Sequence, residues 1–355
     1  MQKRMVILLI LAMFFGLSYD GLGQGINMAE WKILSDDNKT AALTDTVFLG
    51  KTCVHLDGRI KSAMWNKGAN LKNFRMELDI SGAVMSGIGF HVTDEQNYQF
   101  IYFRPGYGGT EEAVQYIPIY NGALSWVLYG KYQNNAAIKK LEWFHAAIEV
   151  RGNNLKVFTN YSIKPDMDIM MLASSSDRGS ILLRTMFGAS YFANITIREL
   201  PEVITDWEIS EQMPANMMHG YSQVKNVKTW KKINETGDDY VNLCRYFPYP
   251  NGTLMAKHIF HSDAGEARLL NFDFAGTLQI ILNGKEIFSY DKYKLDRLEE
   301  AKNRIKLNLQ KGDNELIFLT AGDNYLFANG QGYNSLGRLQ HQNWGFIASI
   351  GKLGL

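Results

Sequence analysis

Short stretches of alternating apolar and polar residues recur along almost the whole chain. Examples run over residues 74–80, 98–103, 143–150, 181–187 and 192–200, and glycine, asparagine or aspartate residues separate many of them. Alternation with a period of two places successive side chains on opposite faces of a strand, and long runs with the helical period of about 3.6 residues are nearly absent. The pattern therefore predicts an all-β chain built from sandwich sheets.

Turn residues support this prediction. The segment 87–105 has the pattern of a β-hairpin whose second strand carries aromatic residues on both faces. Asn121-Gly122 and Gly152-Asn153-Asn154 are sequences that favour hairpin turns with positive φ angles. One helix is predicted over 295–304, because its acidic residues come early and its basic residues late, as the helix dipole favours.

The first residues have the composition of a secretory signal peptide. Lys3 and Arg4 precede an apolar run over 5–17, and small residues lead to Gly23. The run is shorter than the roughly 20 residues that span a bilayer. Residues 1–23 are therefore predicted to be a signal peptide, and the mature chain to be secreted or periplasmic, with no membrane span.

Length and charge narrow the class further. The chain has 355 residues and a formal net charge of +1. This length favours two domains, and the balanced charge without a basic cluster argues against a nucleic-acid partner. Cys53 and Cys244 are the only cysteines. Two unpaired, buried thiols are the favoured interpretation, and a disulfide between the domains is the alternative.

One motif resembles a known family. Tyr102-Phe103-Arg104-Pro105, followed by residues 115–122 and then by Trp126 and Tyr129, resembles the concanavalin A-like (laminin G-type) jelly-roll domain of secreted bacterial proteins. The resemblance implies a β-sandwich over 24–200 and a carbohydrate (an oligo- or polysaccharide) as the partner.

The remainder of the chain resembles a second family. Asn283-Gly284-Lys285, Lys311-Gly312-Asp313-Asn314 and Asn343-Trp344 are similar to features of the galactose-binding-like jelly roll. This resemblance implies a second β-sandwich over 225–355, with residues 201–224 as the linker and domain entry. The overall prediction is two tandem β-sandwich (jelly-roll) domains after a signal peptide.

Sugar recognition needs aromatic rings for the apolar face of a pyranose and polar side chains for its hydroxyls. On the strand 98–104, Tyr98, Phe100, Tyr102 and Arg104 share one face, Gln99, Ile101 and Phe103 share the other, and one of the two faces must fill the core. The laminin G-type resemblance implies that the strand face turned away from the core lines the concave surface of the domain, where jelly-roll lectins hold sugar. The predicted ligand-binding residues are His91, Tyr102, Arg104, Gln115, Asn121, Trp126 and Tyr129.

Glu77 and Asp79 are the weak catalytic candidates, because alternation places both carboxylates on one face of the strand 74–80. Laminarinase-type jelly rolls use a longer motif that ends in a second glutamate. Here Ser81 or Gly82 stands where that acid/base should be, so the hydrolytic mechanism does not follow from the resemblance.

A glycine-rich loop over 106–112 carries Glu111 and Glu112. These two carboxylates are the weak candidates for binding Ca²⁺, an ion that the laminin G-like resemblance makes possible, and the default interpretation is a solvated turn. No cofactor is required by any motif.

The sequence therefore predicts a secreted carbohydrate-binding protein that acts in polysaccharide recognition or use. One alternative is a glycoside hydrolase-like enzyme acting on a modified disaccharide, since related domains resemble a secreted family that hydrolyses 3-keto-disaccharides. The other alternative is an adhesion module that binds protein and no sugar.

Overall fold

The computed structural model describes residues 31–36, 39, 41–214, 221–224, 226–234, 239–247, 252–294, 296–322 and 344–353. The predicted signal peptide and Asn343 lie outside these residues. Within them the chain is nearly all β, as predicted. None of the helices in this part of the chain is long and apolar enough to cross a membrane.

The first region contains two seven-stranded antiparallel sheets. Its strands are β1 (Trp31–Leu34), β2 (Asp45–Phe48), β3 (Lys51–Leu56), β4 (Ala63–Leu71), β5 (Phe74–Gly82), β6 (Met85–Asp94), β7 (Asn97–Phe103), β8 (Val114–Ile119), β9 (Gln133–Asn134), β10 (Phe144–Arg151), β11 (Asn154–Thr159), β12 (Met167–Met170), β13 (Gly179–Met186) and β14 (Ser190–Glu199). Short 3-10 helices cover Pro105–Tyr107 and Trp126–Tyr132.

The strand order is β12-β11-β10-β5-β14-β3-β2 in sheet A and β1-β4-β13-β6-β7-β8-β9 in sheet B. One apolar core lies between them and joins side chains of both, including Met76 and Leu78 from sheet A and Phe90, Ile101 and Phe103 from sheet B. A further apolar cluster forms on the other face of sheet B around Trp65, Phe100 and Tyr102. Gln99, Ile101 and Phe103 thus face the main core, and Phe100 and Tyr102 face the second cluster.

The second region forms a further antiparallel set of strands. They are β15 (Glu202–Val203), β16 (Asp206–Ser210), β17 (Met213–Pro214), β18 (Trp230–Asn234), β19 (Val241–Asn242), β20 (Gly252–Ser262), β21 (Glu266–Leu282), β22 (Lys285–Lys294), β23 (Asn303–Leu309), β24 (Gly312–Ala321) and β25 (Gly345–Lys352). One helical turn, α1, covers Tyr221–Val224, and a 3-10 helix covers Leu243–Arg245.

The long strand β21 belongs to two sheets. Its first part pairs with β23 and β25, and its second part pairs with β22 and β24. Gly276 lies at the change with φ +100°, and a Cβ there would come within 2.5 Å of the Ala321 carbonyl oxygen. Only glycine fits such a corner. The two parts enclose a core that includes Trp207, Phe318 and Trp344, so Trp344 is a packing residue.

The predicted turns are present. Asn121-Gly122 and Asn283-Gly284 both have positive φ angles, as two-residue hairpin turns require. The Asn283 side chain donates to Asn314 and accepts from the Glu315 amide, which ties the two hairpins of the second region together. Cys53 and Cys244 are both free thiols, as predicted, but only Cys53 is buried, whereas Cys244 is half-buried.

The predicted helix over 295–304 is wrong. Residues 296–302 contain bends, one turn and irregular chain but no helix, and β23 begins at Asn303. The Glu299 amide donates to the Asp273 carboxylate and the Tyr240 hydroxyl donates to the Leu298 carbonyl, which satisfies backbone groups that a helix would have paired internally. These partners come from distant parts of the sequence, so the local charge pattern does not determine the structure.

Candidate functional site

Strand β5 carries the two carboxylates that the sequence singled out. Met76, Leu78 and Ile80 are fully buried in the core between the sheets, so alternation directs Glu77 and Asp79 to the outer face of sheet A. The two carboxylates share that face but have different surroundings. The Asp79 residue is only 3% exposed, and the Glu77 side chain is 39% exposed.

Asp79 is the centre of a polar cluster. Its Oδ2 accepts from Lys51 Nζ at 2.6 Å and from Asn194 Nδ2 at 2.7 Å. Its Oδ1 lies 3.0 Å from His145 Nδ1. The four residues (the Asp79 cluster) come from β3, β5, β10 and β14, which lie side by side in sheet A with β5 and β14 at the centre.

Strand register explains why these side chains meet. His145 is directly opposite Asp79 in the β10–β5 pair. Asn194 lies in a β-bulge of β14, where the register against β5 shifts, and has φ +50°. A bulge re-aims a side chain, and asparagine tolerates positive φ better than most residues. The bulge therefore turns the Asn194 amide onto Asp79.

The Asp79 carboxylate is held ionised. Burial by itself raises the pKa of Asp79, but hydrogen bonds from Lys51, His145 and Asn194 outweigh that effect and hold the pKa below its usual value. An ionised carboxylate can only accept, so His145 Nδ1 must carry the proton. In the neutral imidazole, Nε2 is then unprotonated and has no hydrogen-bond partner among the described residues.

Aromatic rings surround this cluster. The Tyr161 ring stacks on the His145 ring with centroids 3.9 Å apart, although Tyr161 is 74% exposed. Tyr161 occupies a left-handed turn with φ +60°, which is unfavourable for a bulky residue. Lys51 Nζ lies 5.3 Å from the centre of the Trp143 ring. Beside Asn194, a shallow cavity of about 150 Å³ opens between β3 and β14.

Glu77 is not part of this cluster. Its carboxylate accepts from Arg75 Nε at 2.6 Å, and Arg75 also reaches Glu149. Glu149 accepts from Arg151 as well, so these side chains form a surface ion-pair network along β5 and β10. The network satisfies Glu77 without presenting a free group, and only Asp79 of the two sequence candidates lies in a site-like environment.

The predicted sugar-binding residues lie mostly at one end of sheet B. The buried Tyr102 hydroxyl donates to Gln115, and Gln115 in turn donates to the Trp126 carbonyl at 3.2 Å. Tyr129 packs against the same apolar cluster as Tyr102. Trp126 is 54% exposed. Trp126 therefore presents an open ring, whereas Tyr102 and Gln115 are buried structural partners.

The remaining sequence candidates are dispersed. Arg104 pairs with Glu112 and lies over the Tyr107 ring, with its Cζ 3.8 Å from the ring centre. Asn121 has φ +52° in its turn, where its backbone amide donates to the side-chain oxygen of Asn97. His91 lies apart from the Tyr102 residues and from the Arg104–Glu112 pair. It is buried on β6 beside a cleft at one end of the sandwich.

Ca²⁺ binding at Glu111 and Glu112 stays a prediction. The Arg104 guanidinium already pairs with the Glu112 carboxylate. In the described part of the chain, no group of three or more histidine, cysteine, aspartate or glutamate side chains is arranged to hold a metal ion.

Sequence reasoning missed His145, Lys51, Asn194 and Tyr161. His145 follows Trp143 and Phe144 on a recognisable strand and, like Asp79, is polar within an apolar alternation. That polar position on the outer face was an available signal for His145. Lys51 and Asn194 had no local signal, because their roles depend on strand order and on the bulge.

The chain is similar to several solved structures at low identity. The carbohydrate-binding module CBM66 from Bacillus subtilis is 16% identical, with a TM-score of 0.36, and the match covers 49% of this chain and 98% of that one. The Ca²⁺/Man3GlcNAc-bound exoplasmic/lumenal domain of VIP36 is 14% identical, with a TM-score of 0.35, over 48% of this chain and 86% of that one.

No curated protein matches the sequence. Residues 20–198 match a family described as the 3-keto-alpha-glucoside-1,2-lyase-like domain. This match spans half of the 355-residue chain and contains all four residues of the Asp79 cluster.

Proposed function

Because the chain belongs to the family of 3-keto-alpha-glucoside-1,2-lyase-like domains, we propose that it is an enzyme that cleaves 3-keto glucosides, with His145 as the base. The observation that carries this proposal is the Asp79–His145 pair, in which a buried, ionised carboxylate holds one imidazole nitrogen, while the other has no hydrogen-bond partner in the described part of the chain. Compared with the sequence-based prediction of a binding protein, the family match favours the enzymatic alternative.

The reaction class defines what a site must supply. The ketone at C3 acidifies the hydrogen on C2, and a base removes that proton. The electron pair of the C2–H bond forms an enolate on the C3 oxygen. When the enolate collapses, a C1–C2 double bond forms and the bond between C1 and the glycosidic oxygen breaks. The departing oxygen takes up a proton from water, and the base later returns the C2 proton to water. The site needs a base at C2 and positive charge near the C3 oxygen.

His145 and Asp79 fit the first requirement. His145 Nε2 accepts the proton from C2, and Asp79 keeps the proton on Nδ1 and stabilises the resulting imidazolium. Asp79 acts through His145 and is a positioning residue. The His145 side chain is 12% exposed, so the ring is shielded yet accessible from the outer face.

Lys51 fits the second requirement. Its side chain is 36% exposed, so its ammonium group borders both Asp79 and solvent. An ammonium at this position stabilises the negative charge that develops on the C3 oxygen. The exposed Tyr161 ring offers a flat surface on which the apolar face of a sugar ring stacks beside His145.

The experiment compares p-nitrophenyl 3-keto-α-glucoside with unoxidised p-nitrophenyl α-glucoside and measures release of p-nitrophenolate. We expect release from the keto glucoside alone, because only its C2 hydrogen is acidic. His145→Gln should abolish it, and His55→Gln is the matched control, since His55 also stacks on a tyrosine but has no hydrogen bond to Asp79. Equal activity of the two variants, or no release by the wild type, would exclude the proposal.

A second candidate function is carbohydrate binding without catalysis. The exposed ring of Trp126 favours it, as does the exposed Tyr161 ring. A glycan array with the wild type and with Trp126→Ala tests it: binding that persists without turnover would support this function, and loss on Trp126→Ala would locate it. We also propose that the chain is exported, on the strength of the signal-peptide composition of residues 1–23.

A further inference from the structure

A separate cleft of about 400 Å³ lies at one end of the sandwich, where the segment 171–177 passes the ends of β6 and β7. This volume falls in the range of small-molecule sites, about 300–1,000 Å³. His91 borders the cleft and packs edge-to-face against Phe74, the first residue of β5. Asp79 is five residues further along β5, or about 16 Å at the rise of a strand. The cleft is therefore distinct from the Asp79 cluster.

One wall of the cleft is anchored residue by residue. The Leu172 amide donates to the Tyr116 hydroxyl at 2.9 Å, that hydroxyl donates to Gln99, and the Gln99 amide donates back to the Leu172 carbonyl at 3.2 Å. The Met171 amide donates to the Asn153 carbonyl at 2.7 Å. The Tyr120 hydroxyl donates to the Ala173 carbonyl of the same segment. These bonds hold the wall in place, so the cleft is preformed.

His91 reaches the cleft through a β-bulge. The register of β6 shifts against both of its neighbours at this position, and His91 has φ +47°. The neighbouring strand accommodates the bulge only because it carries Gly179, where a Cβ would lie 2.6 Å from the His91 carbonyl carbon. Bulges and positive φ angles outside glycine cost free energy and concentrate at functional sites. Here they place an imidazole at the cleft.

The chemical state of His91 follows from its hydrogen bond to Lys72. Its Nε2 lies 2.9 Å from the Lys72 carbonyl oxygen, which can only accept, so Nε2 carries the proton. Burial lowers the pKa of His91 and keeps the ring neutral. Nδ1 is thus an acceptor, and it has no hydrogen-bond partner among the residues that the structure describes, although His91 is only 2% exposed.

The rest of the lining offers both donors and acceptors. Ser174 and Ser176 each accept a hydrogen bond from a nearby backbone amide, which leaves their hydroxyl hydrogens available to a ligand. The Asp177 carboxylate pairs with Lys72 at 3.2 Å and with Arg178 at 3.7 Å, and Lys72 also pairs with Glu202, so two basic side chains balance two acidic ones. Half-buried Met171 and Leu172 supply an apolar surface. The lining carries no unbalanced charge, so it suits a neutral ligand that both donates and accepts hydrogen bonds.

We propose that this cleft is a second binding site, which takes one neutral polyhydroxyl unit such as a pyranose ring. A ligand hydroxyl donates to His91 Nδ1, other hydroxyls accept from Ser174 and Ser176, and the apolar face of the ring lies against Met171 and Leu172. The site does not depend on the activity proposed for His145.

The test uses D-glucose and D-galactose at millimolar concentration, with saturation-transfer NMR to detect binding and the histidine ¹⁵N resonances to report on His91. We expect at least one sugar to bind and to shift the His91 Nδ1 resonance. His91→Asn, which tolerates the positive φ, should weaken binding about three- to tenfold, the value of one hydrogen bond. Ser174→Leu should fill the cleft and abolish binding.

Two controls separate this site from others. Ser175→Leu changes the adjacent exposed residue, which does not line the cleft, and should bind like the wild type. Asp79→Asn should also bind like the wild type, because it alters only the other site. Sugar binding that is unchanged in both Ser174→Leu and His91→Asn would overturn the proposal. The proposal would also be overturned if the wild type bound neither D-glucose nor D-galactose.

Discussion

Two buried aspartates, one in each region of the molecule, have similar partners and different consequences. Asp79 accepts from Lys51, Asn194 and His145. Asp273 is fully buried and accepts from Lys294 at 2.7 Å and from Asn303 at 3.3 Å. Each carboxylate therefore has one ammonium and one side-chain amide, and the remaining donors make the difference.

The remaining donors of Asp273 are backbone amides, those of Phe274 and Glu299 at 3.0 and 2.9 Å. They fix the turn that precedes β23 and leave no group free to react. The remaining donor of Asp79 is an imidazole, whose second nitrogen has no partner among the described residues. A buried carboxylate that accepts hydrogen bonds from backbone amides stabilises the fold. One that accepts a hydrogen bond from a histidine beside exposed aromatic rings orients that histidine to act as a base.

The largest expected difference between the two aspartates is in catalysis. Asp79→Asn should lower kcat on a 3-keto glucoside by about two to four powers of ten, because His145 loses the partner that fixes its tautomer. Asp273→Asn should leave kcat per folded molecule unchanged. Steady-state kinetics on both variants, corrected for the folded fraction by circular dichroism, measures this. Equal losses of kcat in the two variants would contradict the proposed difference in role between Asp79 and Asp273.

Stability should show the reverse order. Asp273→Asn leaves Lys294, whose side chain is only 14% exposed, without its ion-pair partner and should cost about 3–5 kcal/mol. Asp79→Asn should cost about 1–2 kcal/mol, because Lys51 can turn to water. Urea unfolding gives both values. A larger cost for Asp79→Asn would mean that its cluster is primarily structural.

The pH dependence of stability sharpens the same contrast. Because the pKa of Asp79 is lower in the folded than in the unfolded chain, its contribution is complete above the unfolded value of about 3.9 and is lost as the pH falls through the lower folded value. The difference in unfolding free energy between the wild type and Asp79→Asn should shrink as the pH falls below about 4. A difference that shrinks already above about pH 5 would indicate a raised pKa.

The smallest expected effect concerns Tyr161. Its left-handed conformation in the turn suits glycine, so Tyr161→Gly should raise the unfolding free energy by up to about 1 kcal/mol. The same change removes the ring that stacks on His145 and should raise KM for the keto glucoside several-fold. Thermal unfolding and kinetics on this one variant test both effects. An unchanged KM would show that the ring does not contact substrate.

Local patterns predicted much of this architecture. Alternation identified the main strands and the shared face of Glu77 and Asp79, and the Asn-Gly pairs identified turns. The same reasoning failed over 295–304, where the charge pattern favoured a helix but Asp273, from a distant strand, binds the Glu299 amide. Local propensity is worth only tenths of a kcal/mol per residue, so a few long-range hydrogen bonds override it.

The sequence by itself determined that the chain is all β and that Asp79 lies on the opposite face of its strand from Met76, Leu78 and Ile80, because the two-residue period of a strand is a property of neighbouring residues. Only the tertiary structure decided what Asp79 meets there. Its partners lie 28, 66 and 115 positions away along the chain. Strand order and a bulge bring them together, and neither leaves a signature in the local sequence.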